Sequence, residues 1–314
     1  MSRELSTILK TSSVHVRRLL QTHRKKVIGA TVLYLLFKVN ALLSRRALNH
    51  GTTDKYDWSK EIVLVTGGSS GIGYCVVNQL SNRGIKVIIL DLHPPPETNP
   101  YVHFFRCDIT SRDNLADVGR QIIDAVGHPT VLINNAGIVT PPNSILDKPW
   151  SDITRTLLIN ASSHFLTTQQ FVRTMVSSDH GHVVTVASVA AFLAGPNVSD
   201  YNMSKAAALS FHESLGTELK HVHRARNVRT SVVCPGYVKT PLHRSQAFGS
   251  VRNPLLRDAI GPETVAAEIV KVVLGAQSKT VVVPKLLGAV TGSRGWSEWL
   301  FRSLLDRCAT ASLS

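Results

Sequence analysis

The sequence predicts a doubly wound α/β fold: a parallel seven-stranded sheet with helices on both faces, preceded by a hydrophobic and amphipathic helical extension. Three observations carry that reading. Seven short runs rich in β-branched residues recur between residues 61 and 285. Helix-period stretches separate them, and strands that alternate with helices close into parallel sheets covered on both sides. The first run ends in a glycine-rich turn that opens a helix, the strand–turn–helix start of such sheets.

The extension comes first. Residues 1–50 hold Arg3, Lys10, Arg17, Arg18, Arg24, Lys25, Lys26, Lys38, Arg45 and Arg46 against Glu4 alone, so most of the chain's net charge of +14 lies there. Leu5, Ile8, Leu9, Val16, Leu19 and Leu20 fall at i, i+3, i+4 spacing among those cations, the pattern of a basic amphipathic helix. Residues 27–37 (VIGATVLYLLF) are free of charge, and the apolar stretch reaches Leu43 past Lys38 and Asn40. A helix over 27–43 spans roughly 25 Å, short of the ~30 Å hydrocarbon core. It therefore predicts marginal spanning, with an interfacial or hairpin-like insertion equally open. Cations flank it on both sides, so charge gives no orientation.

A mitochondrial transit peptide and an ordinary helix packed on the body stay open beside the membrane reading. A secretory signal does not fit, because no small-residue cleavage site follows the apolar run. A basic excess also suits nucleic acid, but no motif for it is present and aromatic content is only 6%, so no nucleic-acid partner is expected. Cys75, Cys107, Cys234 and Cys308 show no CxxC spacing. They read as reduced thiols in a reducing compartment, with no metal site.

Residues 51–60 are polar and read as a linker to a body over 61–285, with an amphipathic tail over 286–314. Strands are expected at 61–66, 86–90, 102–106, 130–133, 182–187, 229–233 and 280–283. Helices are expected near 71–83, 111–126, 147–177, 201–220 and 262–276. Residues 94–96 (PPP) stiffen a loop.

The turn Thr66-Gly67-Gly68-Ser69-Ser70-Gly71-Ile72-Gly73 carries the first chemistry. Glycines let the backbone turn sharply and approach a pyrophosphate, while the helix N-terminus supplies N–H donors and a positive dipole. Asp91 closes the second strand. A carboxylate there accepts hydrogen bonds from both ribose hydroxyls and repels a 2′-phosphate. Neither Ser70 nor Leu92 offers a cation to receive one, so NAD is expected ahead of NADP.

A second constellation lies downstream. Tyr201 and Lys205 are one helical turn apart and face the same side. A free tyrosine has a pKa near 10, too high for a base at neutral pH, and a neighbouring ammonium favours its ionised form. Tyr201 can then act as general base in alcohol oxidation and general acid in carbonyl reduction. Ser188, just after a predicted strand, can hold and polarise the substrate oxygen.

Taken with Cys107-Asp108-Ile109, Asn134-Asn135-Ala136-Gly137, Asn160 and Pro235-Gly236-x-Val238-x-Thr240, these motifs resemble the short-chain dehydrogenase/reductase family over residues 61–241, with its Rossmann fold continuing to about 285. The resemblance implies that Asn160 holds a relay water near Lys205, and that Lys205 also contacts the nicotinamide ribose. It implies that Asp108 and Ile109 border the adenine and that Asn135, Ala136 and Gly137 line the adenosine side. It places the nicotinamide on Pro235, Gly236, Val238 and Thr240.

Segments such as GHVVTVASVAAF and YNMSKAAALSFHESLGTELK are most similar to the membrane- and lipid-droplet-associated subgroup of 17β-hydroxysteroid and retinol dehydrogenase-like enzymes. That similarity implies a lipophilic secondary alcohol or ketone (steroid, retinoid or fatty derivative). It also implies an endoplasmic reticulum or lipid-droplet surface with the catalytic body facing the cytosol. Residues 241–261 are expected to form a lid offering Leu242, Phe248, Val251, Leu255 and Leu256, with Ala191, Phe192 and Leu193 as further apolar wall. Trp296, Trp299, Leu300, Phe301 and Leu304 are expected near one helical face as a second membrane contact or a packed tail helix. A homodimer or tetramer through the long helices near 147–177 and 201–220 completes the expectation. Two rival readings stand beside it: a catalytically silent NAD(P)-binding scaffold or sensor, and a soluble mitochondrial reductase with a cleaved presequence.

Overall fold

Strands β1 (Ile62–Thr66), β2 (Lys86–Asp91), β3 (Val102–Arg106), β4 (Val131–Asn134), β5 (Gly181–Val186), β6 (Val228–Pro235) and β7 (Thr280–Val283) form one sheet in the order β3-β2-β1-β4-β5-β6-β7. Every pairing is parallel. This computed structural model describes residues 2–240 and 259–313, and the chain falls into two compact units, Met1–Gly51 and Thr52–Ser314. The lid expected over 241–261 therefore lies almost wholly outside the described residues.

The strand sequences explain the layers. On β1, Val63 and Val65 join one apolar cluster while Ile62 and Leu64 join the other, as the two-residue period of a strand requires. Helices α2 (Gly71–Ser81) and α7 (Pro262–Leu274) bring Val76, Val77, Leu80, Val265 and Ile269 to the first face. Helices α3 (Arg112–Ala125), α5 (Ser163–Ser178) and α6 (Ser199–His221) bring Ile122, Phe171, Met175 and Leu215 to the second. The order reverses between β1 and β4. Crossovers there leave in opposite directions and open a crevice at the strands' carboxyl ends.

The expected helix over 147–177 is not continuous. Helix α4 (Trp150–Leu157) passes into a π-helical turn, Leu158–Ser162, before α5 begins. Asn160 occupies that turn, and π turns often mark functional positions.

The first unit is one unbroken helix, α1 (Ser2–Leu48). Within it, the 23 residues Lys26–Leu48 contain an 18-residue window of mean hydropathy 1.8. At 1.5 Å per residue the 23 residues reach roughly 35 Å, enough in length for a bilayer core. Helix continues through Ser44–Leu48, but Arg45 and Arg46 there are charged, so the apolar part stays close to the 27–43 read from the sequence.

The polar residues before β1 are not a free tether. Arg229 donates to Thr52 O and Oγ1, both at 3.1 Å, and Thr52 Oγ1 donates to Arg226 O at 3.2 Å. His180 stands between two carboxylates, with Nδ1 2.6 Å from Asp54 Oδ2 and Nε2 3.2 Å from Glu61 Oε2. The Tyr56 ring packs against it at a tilt, with centroids 4.5 Å apart. Burial works against the imidazolium, but hydrogen bonds to Glu61 and Asp54 and their charge outweigh it, leaving the His180 pKa raised. The folded value therefore exceeds the unfolded one. The resulting stabilisation is fully present below the ordinary histidine pKa near 6.5 and is lost as pH rises through the folded value. His180→Asn should lower the melting temperature most at about pH 5.5 and progressively less toward pH 9. An effect independent of pH would contradict the ion pairing.

After β7 the chain forms a 3-10 segment, Lys285–Gly295, and then α8 (Glu298–Leu313). Trp296 precedes α8 and so does not share its face, contrary to the single face expected over 286–305. Trp299 and Leu300 lie on the helix and are exposed.

Candidate active site

The glycine turn is built as the sequence predicts. Gly67 has φ +66°, and a Cβ there would lie 2.9 Å from Ala136 Cα. Thr66 Oγ1 accepts from the Asn135 and Ala136 amides, both at 3.0 Å. Asn135 Nδ2 donates to Thr66 O at 3.0 Å and to Gly67 O at 3.1 Å. The turn after β1 and the loop after β4 are thereby sewn together across the crevice.

That crevice is a cleft of about 290 Å³. Gly67, Ser70, Gly71 and Ile72 line it from the turn, and Asp91, Asp108 and Ile109 line it from the neighbouring strand ends. Asn135, Ala136, Gly137 and Thr240 close it. Ser69 and Gly73 of the same turn are not part of this lining. Asp91 accepts from the Ser69 amide at 3.1 Å and the His93 amide at 3.2 Å, which aims its carboxylate. Asp108 accepts from Thr110 N and Oγ1 at 2.9 and 2.7 Å. Cleft and cradle suit a dinucleotide: glycines stand where side chains would block the backbone, and the α2 N-terminus faces the opening.

Arg155 and Ile159 of the α4 region also line the cleft. Sequence reasoning missed both, although they precede Asn160 by about one turn and directly, respectively.

Around the corner, Ser188, Tyr201 and Lys205 come together. Ser188 Oγ donates to Pro235 O at 3.2 Å and accepts from the Ala190 amide at 3.1 Å. The Ser188 hydroxyl is close enough to the Tyr201 phenol to act on its ionisation. Burial pushes the phenol's pKa up, and the Ser188 contact draws it the other way. Lys205 Nζ donates to Val186 O at 3.0 Å and lies 5.8 Å from the Tyr201 ring centroid. Burial pushes this ammonium down to about 8.

Asn160 is fully buried. Its Oδ1 accepts from the Ile138 amide at 2.7 Å, while Nδ2 donates to Ile138 O at 2.8 Å and to Ser204 Oγ at 3.0 Å. Its side-chain amide is thus engaged with the protein itself, fixing the chain after Gly137. A Cβ on Gly137 would lie 3.4 Å from both Lys205 Nζ and Asn160 Oδ1, so that loop passes directly against the two.

Pro235 ends β6, and Gly236 donates its N–H to Val283 O at 2.7 Å. Val238 bridges to Ile260. Thr240 meets Gly71 across the cleft, 3.5 Å from where a Cβ would stand. The 3-10 segment 285–295 supports this region: Leu287 fills the space beside Gly236, and Arg294 donates to Ala191 O at 3.0 Å. Its role was not visible in a stretch read as tail.

The description "short chain dehydrogenase" belongs to the family that matches residues 61–248, and the chain is a member of the short-chain dehydrogenase/reductase family, an NAD(P)-dependent oxidoreductase. Within it, the chain falls with the retinol and steroid dehydrogenase subgroup. It is 40% identical to Dehydrogenase RED2 of Cochliobolus heterostrophus, over 66% of this chain and 80% of that one. It is 32% identical to Estradiol 17-beta-dehydrogenase 11 of Rattus norvegicus (74% and 78% covered). It is 30% identical to human Epidermal retinol dehydrogenase 2 (72% and 75% covered). The fold is shared with a short chain dehydrogenase from Burkholderia cenocepacia solved with NADP, at TM-score 0.67 and 23% identity, covering 80% of this chain and 99% of that one.

Proposed function

We propose that this protein uses NAD to interconvert a lipophilic alcohol and its carbonyl, with Tyr201 as the proton-transfer group. One observation carries the reading most: Lys205 is buried 5.8 Å from the Tyr201 ring, beside buried Ser188, at the carboxyl edge of a sheet whose crevice suits a dinucleotide. A bound oxidised nicotinamide supplies the hydride acceptor and a positive charge. Tyr201 takes the hydroxyl proton as the C–H hydride leaves, and returns it in the reverse direction. Ser188 holds the substrate oxygen. Burial favours the protonated phenol; a charged Lys205 beside its ring is the group that would favour the ionised form.

NAD rather than NADP is proposed on Asp91, whose aimed carboxylate lines the cleft. Arg155 lines the same cleft, so both cofactors belong in the test. Asp91→Ser should shift the NAD-to-NADP ratio of kcat/KM toward NADP by at least about tenfold. A wild-type preference for NADP contradicts the assignment.

The lipophilic substrate is proposed on helix α1 and on the substrates in the relatives' names. Helix α1 would hold the enzyme on an endoplasmic reticulum or lipid-droplet membrane. N-terminal sequencing of the native protein separates this from a cleaved presequence. Dimerisation is proposed through α5 and α6, which border a groove of about 540 Å³ lined by Phe165, Val172 and Phe211. The test of the activity is full-length protein in phosphatidylcholine vesicles with retinol, estradiol and long-chain alcohols, NAD and NADP side by side. NADH binding without turnover of any of them, and no change with Tyr201→Phe, supports a silent scaffold instead.

A further inference from the structure

Asp200 precedes Tyr201 in the first turn of α6 and is 2% exposed. Its Oδ2 accepts from Thr140 Oγ1 at 2.6 Å and Thr156 Oγ1 at 3.0 Å. Its Oδ1 faces Lys148 Nζ at 3.2 Å, an ion pair whose two side chains are each 1% exposed. Lys148 also donates to Pro141 O at 2.8 Å. The donors come from separate places. Thr140 and Lys148 belong to the loop between β4 and α4, and Thr156 to the last turn of α4, just before the π turn with Asn160. The Asn143 amide adds a second tie, to Asn197 O at 2.9 Å. One carboxylate thus joins the stretches that carry Gly137, Asn160 and Tyr201.

A dry ion pair is an inefficient source of stability, because desolvation offsets most of the attraction and apolar replacements often do as well. What converging donors provide is geometry: only one placement of the α6 start satisfies all three. None of Thr140, Lys148, Thr156 or Asp200 lines the cleft bordered by the glycine turn and Asp91.

We propose that Asp200, held by Lys148, Thr140 and Thr156, is a positioning residue for Tyr201, fixing the phenol against Ser188 and the substrate oxygen. The proposal rests on the assignment of proton transfer to Tyr201 above. Misplacement of a reacting group by about 1 Å can cost roughly a hundredfold in rate, so the cluster acts on turnover and leaves cofactor binding alone.

The test uses full-length protein in phosphatidylcholine vesicles. NADH titration counts cofactor-competent sites, and turnover of retinol or estradiol is expressed per such site. Asp200→Asn should lower kcat per site by roughly 10- to 100-fold, with NADH affinity within about threefold of wild type. Thr156→Val should lower kcat by a smaller factor, and Thr156→Ser, which keeps the donor, should restore it. A purely structural role predicts lower yield or melting temperature with kcat per site within about threefold of wild type, and that result overturns the proposal. If Asp200→Asn fails to fold, the Thr156→Val and Thr156→Ser pair decides in its place, since both keep the ion pair.

Tyr201→Phe runs in parallel. Full activity in that variant overturns the Tyr201 assignment, whereas an inactive Tyr201→Phe beside a fully active Asp200→Asn overturns only the positioning. If neither alcohol turns over, Tyr201 ionisation in the NAD-bound protein is read as the near-ultraviolet absorbance difference from Tyr201→Phe. Asp200→Asn should move that ionisation upward, and an unmoved value overturns the positioning.

Discussion

Tyr201→Phe is expected to lower kcat by roughly 10²- to 10⁴-fold, the range that a positioned proton-transfer group contributes. The substitution removes one oxygen and leaves the ring, so packing changes little. Cofactor affinity should fall far less than kcat, because the adenosine-side cleft is lined by other residues. The pH dependence should change with it. Burial pushes the phenol's pKa up, so oxidation by the wild type should quicken as pH rises and the base form accumulates. That limb should vanish in Tyr201→Phe. Ser188→Ala should cost less, since it removes a hydrogen bond to the oxygen and leaves the proton acceptor in place. Steady-state kinetics from about pH 6 to pH 10, with NADH titration, measure all of this. A loss of less than about tenfold for Tyr201→Phe would sink the proton-transfer assignment.

What the sequence revealed of this site follows from distance along the chain. The glycine turn is legible because strand, turn and helix are contiguous and each residue's conformation is locally required. Tyr201 and Lys205 are legible because helical geometry sets their spacing. The strands are legible because both faces of a parallel sheet are buried, so Val-, Ile- and Leu-rich runs stand out. The π turn at Leu158–Ser162 is not legible from periodicity. It accompanies the bonds between Asn160 and Ile138, a partner on another segment. The Asp200 cluster is hidden for the same reason: Thr140, Lys148 and Thr156 look like ordinary loop and helix residues until the fold brings them to one carboxylate. The stretch before β1 misleads differently. Its polar composition suggests solvent, yet Asp54 and Glu61 are spent on His180, and Thr52 on Arg229.

Gly73→Ala should abolish useful cofactor binding, weakening NADH by at least about a hundredfold, while Gly71→Ala should do less. Both glycines belong to the same turn, but they meet different surroundings. A Cβ on Gly73 would stand 2.2 Å from Gly67 O and 2.6 Å from Asn135 Nδ2. Neither neighbour can retreat. Gly67 is itself pressed against Ala136, and Asn135 Nδ2 is bonded to two backbone carbonyls. The α2 start would have to move outward, carrying away the amides that face the phosphate site and loosening Val76, Val77 and Leu80 in the core. Overpacking of this kind typically also costs about 1–3 kcal/mol of stability. At Gly71 the space is open, with Thr240 Cγ2 3.5 Å away, and the cost comes from its φ of +54°. A non-glycine residue in that region loses about 1–2 kcal/mol without a clash. The order therefore tests whether close backbone approach or left-handed conformation governs the turn. NADH titration and urea unfolding of both variants measure it, and a Gly73→Ala protein that binds NADH within about threefold of wild type would show that the α2 start can yield after all.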